Sequence, residues 1–432
     1  MSQHDYVIAN QTFPNFRTDL NSAFAAIVSQ NSGASAPSTT YAYQLWYDTG
    51  NDILKMRNAA DDAWIDLFAV DQTADTSKPS GTAGSNLLIN GNMAVSQRGT
   101  SAVAVPNGGY STVDRMRFYE STGGAYTSEQ SSDVPAGQGF SKSIKLACTT
   151  ADSSIGAAEI ATMSQVIEGQ NLQRLNYGTS DAKTITLSFW VKSNKTGIYT
   201  IAIYKHAGGG TAYGCPVEYT ISSANTWEKK TITVTPTAGS TTLITSSAGA
   251  IIDSNGAGIE VHWGLAWGSN YNATNNTWSA SGFYSTSNQV NWLDSTSNNF
   301  YLTGIQLEVG SVANPVFQHE SFAETLQKCM RYYFGSVYGN SSPTNHGGFG
   351  TAHSTNEVNI GFEFPVIMRA APSVTVFDTS GNANRIHRAQ VGDVTNAANA
   401  NNVGPNSVGQ LQSSGLTLGG GYICGLNASA EL

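Results

Sequence analysis

Charge is scarce in this chain. Asp, Glu, Lys and Arg supply 12% of its residues, about half the roughly 25% usual in soluble domains. There is no run of Lys or Arg and the net charge is −9, which excludes a nucleic-acid groove built on clustered cations. No apolar stretch approaches the ~18 residues of a membrane-spanning helix. Met1-Ser2-Gln3-His4-Asp5 lacks the basic and apolar regions of a signal peptide. A chain made in a cytoplasm and released by lysis is expected. Four cysteines (Cys148, Cys215, Cys329, Cys424) lie far apart with no Cys-x-x-Cys, so buried free thiols are expected rather than disulfides or zinc.

Catalytic signatures are missing too. There is no Gly-x-Ser-x-Gly elbow, His-Glu-x-x-His or Walker loop, and no Asp-x-Asp-x-Asn-Gly calcium loop. The seven histidines are dispersed, and no 20–50-residue period marks a parallel β-helix depolymerase. A glycosidase needs only two carboxylates brought together by folding, so depolymerase activity is not excluded. No motif argues for it, and a non-enzyme is expected.

What fills the chain is Ser, Thr, Asn and 44 glycines, with 40% hydrophobic residues over 432 positions. That suits two or three mainly β domains. Ile185, Leu187, Phe189 and Val191 alternate with polar residues; Tyr199, Ile201 and Ile203 repeat the pattern, as do Ile232 and Val234. Ile259, Val261, Trp263, Leu265 and Trp267 fall on one face, so both indoles are expected in the core rather than on a sugar-stacking platform. Such strands with polar turns predict an antiparallel sandwich. Gly304 interrupts the alternation between Phe300-Leu302 and Ile305-Leu307-Val309, as a bulge would.

The first ninety residues differ. Phe16, Leu20, Phe24 and Ile27 form one helical stripe over Asn15–Ser29, with Pro14 at its start and Gly33 beyond its end. A helix this short is marginal alone, and its phenylalanines call for a partner: this chain, sister copies or another protein. Leu45-Trp46-Tyr47-Asp48, Ile53–Arg57 and Ala63–Leu67 read as three short strands with a turn at Gly50-Asn51. Pooling three such small cores in a trimer would stabilise them. Residues 71–85 read as linker.

Ser269 to Asn299 is a long polar stretch carrying Tyr271, Trp278, Tyr284 and Trp292. Its aromatics would either stack on sugar rings beside Asn and Ser groups or fold inward to order the loop. Phe322–Met330 reads as a helix. Beyond it, strands at Val358–Phe364 and Val374–Phe377 predict a smaller C-terminal sandwich. In its loops His346, His353, Arg385, His387 and Arg388 would contact an acidic glycan or simply be solvated.

Three stretches carry a resemblance: Asn86-Leu87-Leu88-Ile89-Asn90-Gly91-Asn92-Met93 running on to Gln97-Arg98-Gly99, Ile305-Gln306-Leu307-Glu308-Val309-Gly310, and Lys328-Cys329-Met330-Arg331-Tyr332-Tyr333-Phe334. They look like the first and last pairing strands of a jelly roll followed by a helix and an aromatic strand. The set resembles the lectin-like domain of bacteriophage tail fibres, marine phage fibres in particular. Phe16-Arg17-x-Asp19-Leu20-Asn21 and Leu45–Asp48 resemble the tail-attachment region of such fibres, and Arg331-Tyr332-Tyr333 with Met368-Arg369-Ala370-Ala371-Pro372 resemble their last domain. The resemblance implies a tail-attachment segment (1–70), the linker, a jelly-roll carbohydrate-binding-like domain (86–330) and a β-sandwich tip (331–432). It implies a homotrimer in the virion tail, docked on tail adaptor or nozzle proteins through Phe13, Phe16, Leu20, Phe24 and Trp46. Host surface polysaccharide or lipopolysaccharide would be the other partner. A depolymerase tailspike and a purely structural connector are the alternatives. No cofactor is implied; a structural calcium at Asp114 or Glu308 would rest on analogy alone.

Overall fold

The computed structural model describes residues 3–8, 10–72, 76–79, 86–208, 211–280, 282–314, 316–344 and 348–432. It is mainly β, with two α-helices among the described residues, α1 (Phe13–Val28) and α2 (Phe322–Met330). Pro14 lies in the first turn of α1, where its missing N–H costs nothing.

The N-terminal sheet has four antiparallel strands, Leu45–Asp48, Ile53–Arg57, Trp64–Asp71 and Thr76–Pro79. Asp48 fastens the turn, its Oδ1 accepting from the backbone N–H of Gly50 (3.1 Å) and Asn51 (3.2 Å). The fourth strand falls within the stretch read as linker and pairs with Phe68–Asp71. Its composition is polar, but an open sheet edge recruits backbone regardless of side chain. The buried residues of helix α1 are Ala23 and Ala26. The apolar stripe points elsewhere: Phe13, Phe16 and Phe24 are 74%, 40% and 55% exposed, and Leu20 is half-buried. Trp46 departs from the anchoring role expected for it. It is buried, edge-on to Trp64 at 5.1 Å, and donates from Nε1 to the Gly33 carbonyl at 3.1 Å. A module this small needs its largest ring inside.

In the centre a seven-stranded and a six-stranded antiparallel sheet enclose one core, to which Phe189, Trp263, Phe300 and Leu307 contribute. Asn86–Gly91 runs along the last long strand, Asn299–Val309. Leu87 N–H donates to Leu307 O (2.8 Å), Ile305 N–H to Gly91 O (2.9 Å), and Asn86 Nδ2 to Ile305 O (3.0 Å). A Cβ on Gly91 would lie 2.1 Å from Ile305 O, so the residue must be glycine for the chains to approach. Gly304, at φ +62°, sits at a register shift in the pairing with Ile185–Ser193, the bulge expected there.

Helix α2 begins with a capping box, Ser321 Oγ accepting from the Glu324 N–H (3.2 Å) and the Glu324 carboxylate from the Ser321 N–H (3.0 Å). The C-terminal β-structure has its own core, built around the strand Gly421–Ser429. That strand pairs with Tyr333–Gly335, Gly348–Ala352, Ser373–Phe377 and Ile386–Arg388. All four cysteines are buried and unpaired, and burial pushes the Cys215 and Cys424 thiols up to about 12. Among the described residues no helix is long and apolar enough to cross a membrane.

Arg331-Tyr332-Tyr333 joins the two large β-regions. Arg331 forms a bidentate pair with Glu168 (2.8 and 2.7 Å), and Tyr332 donates to the same carboxylate (2.5 Å). The Tyr332 ring lies 3.5 Å from the Arg115 guanidinium, and the Tyr333 ring 3.5 Å from that of Arg98. Both arginines pair with Glu431. Arg369, of the Met-Arg-Ala turn, donates to the carbonyls of Ala430 (2.7 Å), Glu431 (3.0 Å) and Asn255 (3.0 Å).

Candidate functional site

A strand whose inward positions fill a core must present its alternate positions outward. In Ala257–Trp267 the inward residues are Ile259, Val261 and Trp263, so Glu260 and His262 share the outer face of the seven-stranded sheet. Across that sheet Val166, Glu260 and Tyr204 lie abreast, as do Arg117, Ser164, His262 and Ala202. Glu260 and His262 are only 2% and 4% exposed. Around them stand the half-buried rings of Tyr119, Tyr204, His206, Tyr271 and Tyr284.

Trp267 completes the group, against the expectation that it shares the core with Trp263. The pairing with Ile160–Glu168 shifts register at Leu265, Ala161 facing Ala266 and Thr162 facing Gly264. One extra residue reverses the side-chain alternation that follows it. The Trp267 ring therefore lies flat on Tyr284, centroids 5.0 Å apart and planes 7° apart, with Tyr271 at 5.5 Å and His262 at 6.0 Å. Gly264 makes room: a Cβ there would lie 2.3 Å from Trp267 Nε1. Tyr284 also meets Tyr204 (5.0 Å) and His262 (4.9 Å).

The polar groups beneath the rings are held in definite states. Glu260 accepts from Ser164 Oγ (2.6 Å) and His206 Nε2 (3.1 Å). Burial would raise this carboxyl, but His262, His206 and Ser164 outweigh it and hold it down at about 2. Burial in turn lowers His262 to about 4, against the pull of Glu260. At neutral pH the site therefore combines a fixed anion with a neutral imidazole. Among the described residues neither ring nitrogen of His262 has a hydrogen-bond partner, nor has buried Trp267 Nε1; a Glu260 oxygen lies 3.6 Å from His262 Nε2. A neutral imidazole offers one donor and one acceptor, the complement of a hydroxyl. Buried polar groups left open in this way call for a partner that these residues do not supply, water or a ligand group. A carboxylate held near 2 is a standing acceptor and a poor proton donor at neutral pH.

Of the residues singled out from sequence, Tyr271 and Tyr284 enter this group. Trp278 and Trp292 do not: they are 1% and 0% exposed. Trp278 donates to Thr235 O (2.9 Å) and stands edge-on to Tyr177, while Trp292 donates to Asn299 O (3.2 Å) and stands edge-on to Tyr126. A loop of this length needs its own packing, and a buried indole N–H needs a carbonyl. His353 is exposed and paired with Glu357 (3.0 Å). His387 is engaged by Asp393 (2.7 Å) and Thr379 (3.0 Å). As neighbours in one strand, His387 and Arg388 point to opposite faces. The C-terminal residues thus form no common site, and His346 lies outside the described residues.

Sequence reasoning missed Tyr119, Tyr204, His206, Glu260 and His262, and placed Trp267 on the wrong face. The available signals were Glu260 and His262 at alternate outward positions, and Gly264 within a strand, a mark of a bulge or a close approach.

No metal site accompanies this group: among the described residues no cluster of three or more His, Cys, Asp or Glu could hold an ion. The Asp114 carboxylate accepts from Gln97 N (2.9 Å) and Nε2 (2.6 Å), and Glu308 from Gln306 Nε2 (2.9 Å) and the Asn314 N–H (2.7 Å). Both carboxylates suggested for calcium are therefore engaged internally. A separate cavity of about 470 Å³ beside α2 is lined by Leu88, Val166, Lys328 and Arg331, but Lys328 is paired with Glu320 and Arg331 with Glu168.

The His262 state predicts an acid limb in stability. Unfolded, the imidazole takes a proton below about 6.5; folded, it refuses one until about 4. Stability therefore falls as pH drops from 6.5 to 4, by up to about 3 kcal/mol. Glu260 adds to the loss below its unfolded value of 4.5, as pH falls towards 2. Melting temperature measured from pH 8 to pH 4 should fall through this window, and His262→Gln should flatten the upper part of the fall. A variant with the same slope as the parent would show that His262 is not the titrating group.

No family model matches the chain, and no curated protein matches it. Solved structures overlap about half of it loosely. The enzymatically active domain of tailspike protein 4 of bacteriophage CBA120 has a TM-score of 0.27 and 13% identity, covering 52% of this chain and 21% of that one. The family 11 carbohydrate-binding module of Clostridium thermocellum, solved with a mixed-linked tetrasaccharide, has a TM-score of 0.25 and 11% identity, covering 49% and 98%. The CBM22-1 xylan-binding domain of Paenibacillus barcinonensis has a TM-score of 0.23 and 7% identity, covering 50% and 99%. Overlaps this loose carry no inference about ligand or function.

Proposed function

We propose that this chain is a non-enzymatic subunit of a homotrimeric phage tail fibre. In this reading it docks on tail adaptor or nozzle proteins through its N-terminal segment and binds host surface polysaccharide or lipopolysaccharide on the outer face of the seven-stranded sheet. The observation that carries glycan binding is ionised Glu260 beside the unpartnered, neutral His262, beneath the rings of Tyr204, Trp267, Tyr271 and Tyr284. Sugar C–H faces stack on such rings, and a hydroxyl that reached between them would meet a carboxylate acceptor and an imidazole able to donate or accept. The sequence resemblance and the exposed α1 stripe support the fibre and its anchor. Modest affinity per site becomes firm attachment when three copies engage one surface.

The test is binding of the full chain to an array of bacterial surface polysaccharides and lipopolysaccharides, with Trp267→Ala and Tyr284→Ala beside it. Each variant should bind about tenfold more weakly, the worth of one aromatic stack, with its circular dichroism unchanged. Full binding by both variants would move the glycan site elsewhere. Release of new reducing ends from a bound polysaccharide would make the protein a depolymerase.

A further inference from the structure

The opposite face of the sandwich carries a second depression. It arises from the bulge at Gly304. There the backbone at φ +62° passes so close beneath two rings that a Cβ would meet Phe140 Cζ at 2.6 Å and Trp190 Cδ1 at 3.1 Å. Phe140, Phe317 and His319 pack together, with centroids 4.9 to 5.3 Å apart, and Trp190 stands across from them. The four rings wall a cavity of about 230 Å³ whose polar margin includes Gln138 and Ser188. Trp190 is half-buried, and its indole N–H makes no hydrogen bond to any described residue.

The geometry points to a second glycan subsite, on the six-stranded sheet, that takes a single saccharide ring. The cavity is smaller than the roughly 300–1,000 Å³ of pockets for drug-sized ligands, which suits one ring and not an oligosaccharide. Aromatic walls with an amide, a hydroxyl and a free indole N–H at the margin match the apolar faces and hydroxyl edge of such a ring. The ligand class rests on the proposed glycan-binding reading; the site itself does not. Two subsites on opposite faces would let one subunit bridge neighbouring polysaccharide strands, raising avidity without raising either affinity.

Saturation-transfer NMR of the full chain with free hexoses, N-acetylhexosamines and hexuronic acids tests this, run on the parent, Trp190→Ala, Phe317→Ala and Trp267→Ala. Phe317 lies in a loop outside the strands, so its variant guards against a folding defect at Trp190. At least one monosaccharide should retain its signal in Trp267→Ala and bind about tenfold more weakly in Trp190→Ala and Phe317→Ala. Unchanged binding in the latter two, with loss only in Trp267→Ala, would overturn the second subsite and leave the first standing. No binding by the parent to any of these sugars, together with a blank polysaccharide array, would overturn both.

Discussion

Arg115→Ala is expected to destabilise the protein by about 3–5 kcal/mol, the range for removing one partner of a buried ion pair. Arg115 is 1% exposed and holds a left-handed backbone conformation at φ +71°. Its guanidinium pairs with Glu431, donates to Val166 O (2.7 Å) and lies 3.5 Å from the Tyr332 ring. Truncation would leave the Glu431 carboxylate, itself 6% exposed, facing Arg98 alone, and Val166 O without its donor. The loss falls where the central and C-terminal regions meet, so the C-terminal β-structure should melt separately from the sandwich. Differential scanning calorimetry checks this: the variant should show an early transition that the parent lacks. A single transition at the parental temperature would mean that the pair contributes little across that junction.

In the proposed trimer, Phe16→Asp combined with Phe24→Asp should give a monomer without unfolding it. The rings are 40% and 55% exposed, while the buried residues of α1 are Ala23 and Ala26; the substitutions therefore replace no buried residue within one copy. Phe13, Phe16, Leu20, Phe24 and Ile27 follow the three- and four-residue spacing with which helices pack against copies of themselves. Charges buried in such a seam are not tolerated. Light scattering at micromolar concentration should give three times the chain mass for the parent and one chain mass for the variant, with equal helix content. A parent that is already monomeric would sink the trimer and leave the stripe to a tail protein.

The strands of the central sandwich were legible because alternation has a short reach. Ile185, Leu187, Phe189 and Val191 need only their own neighbours to declare a buried face. Helix α2 was legible as Phe322–Met330, and the Gly304 bulge through the break it makes in alternation. The pairing of Asn86–Gly91 with Ile305–Leu307 was legible as a resemblance. Trp278 and Trp292 show the limit. Nothing nearby distinguishes an indole that stacks on a ligand from one that donates to a carbonyl across the loop. The motifs behind the resemblance also took on a role not written in them. Arg331, Tyr332, Tyr333 and Arg369 tie the C-terminal β-structure to the sandwich through Glu168, Arg115, Arg98 and the last residues of the chain.

By itself, then, the sequence determined the mainly β class, the apolar helix stripe, the free cysteines and the absence of catalytic motifs, since each depends on composition or on residues a few positions apart. The tertiary structure alone decided the candidate site. Tyr119, Tyr204, Glu260 and Tyr284 come from four separate segments spread over more than 160 residues. Sheet order sets them side by side, and one extra residue at Leu265 turns Trp267 to join them. Register and strand order are settled by the packing of the whole core, and no local pattern encodes either.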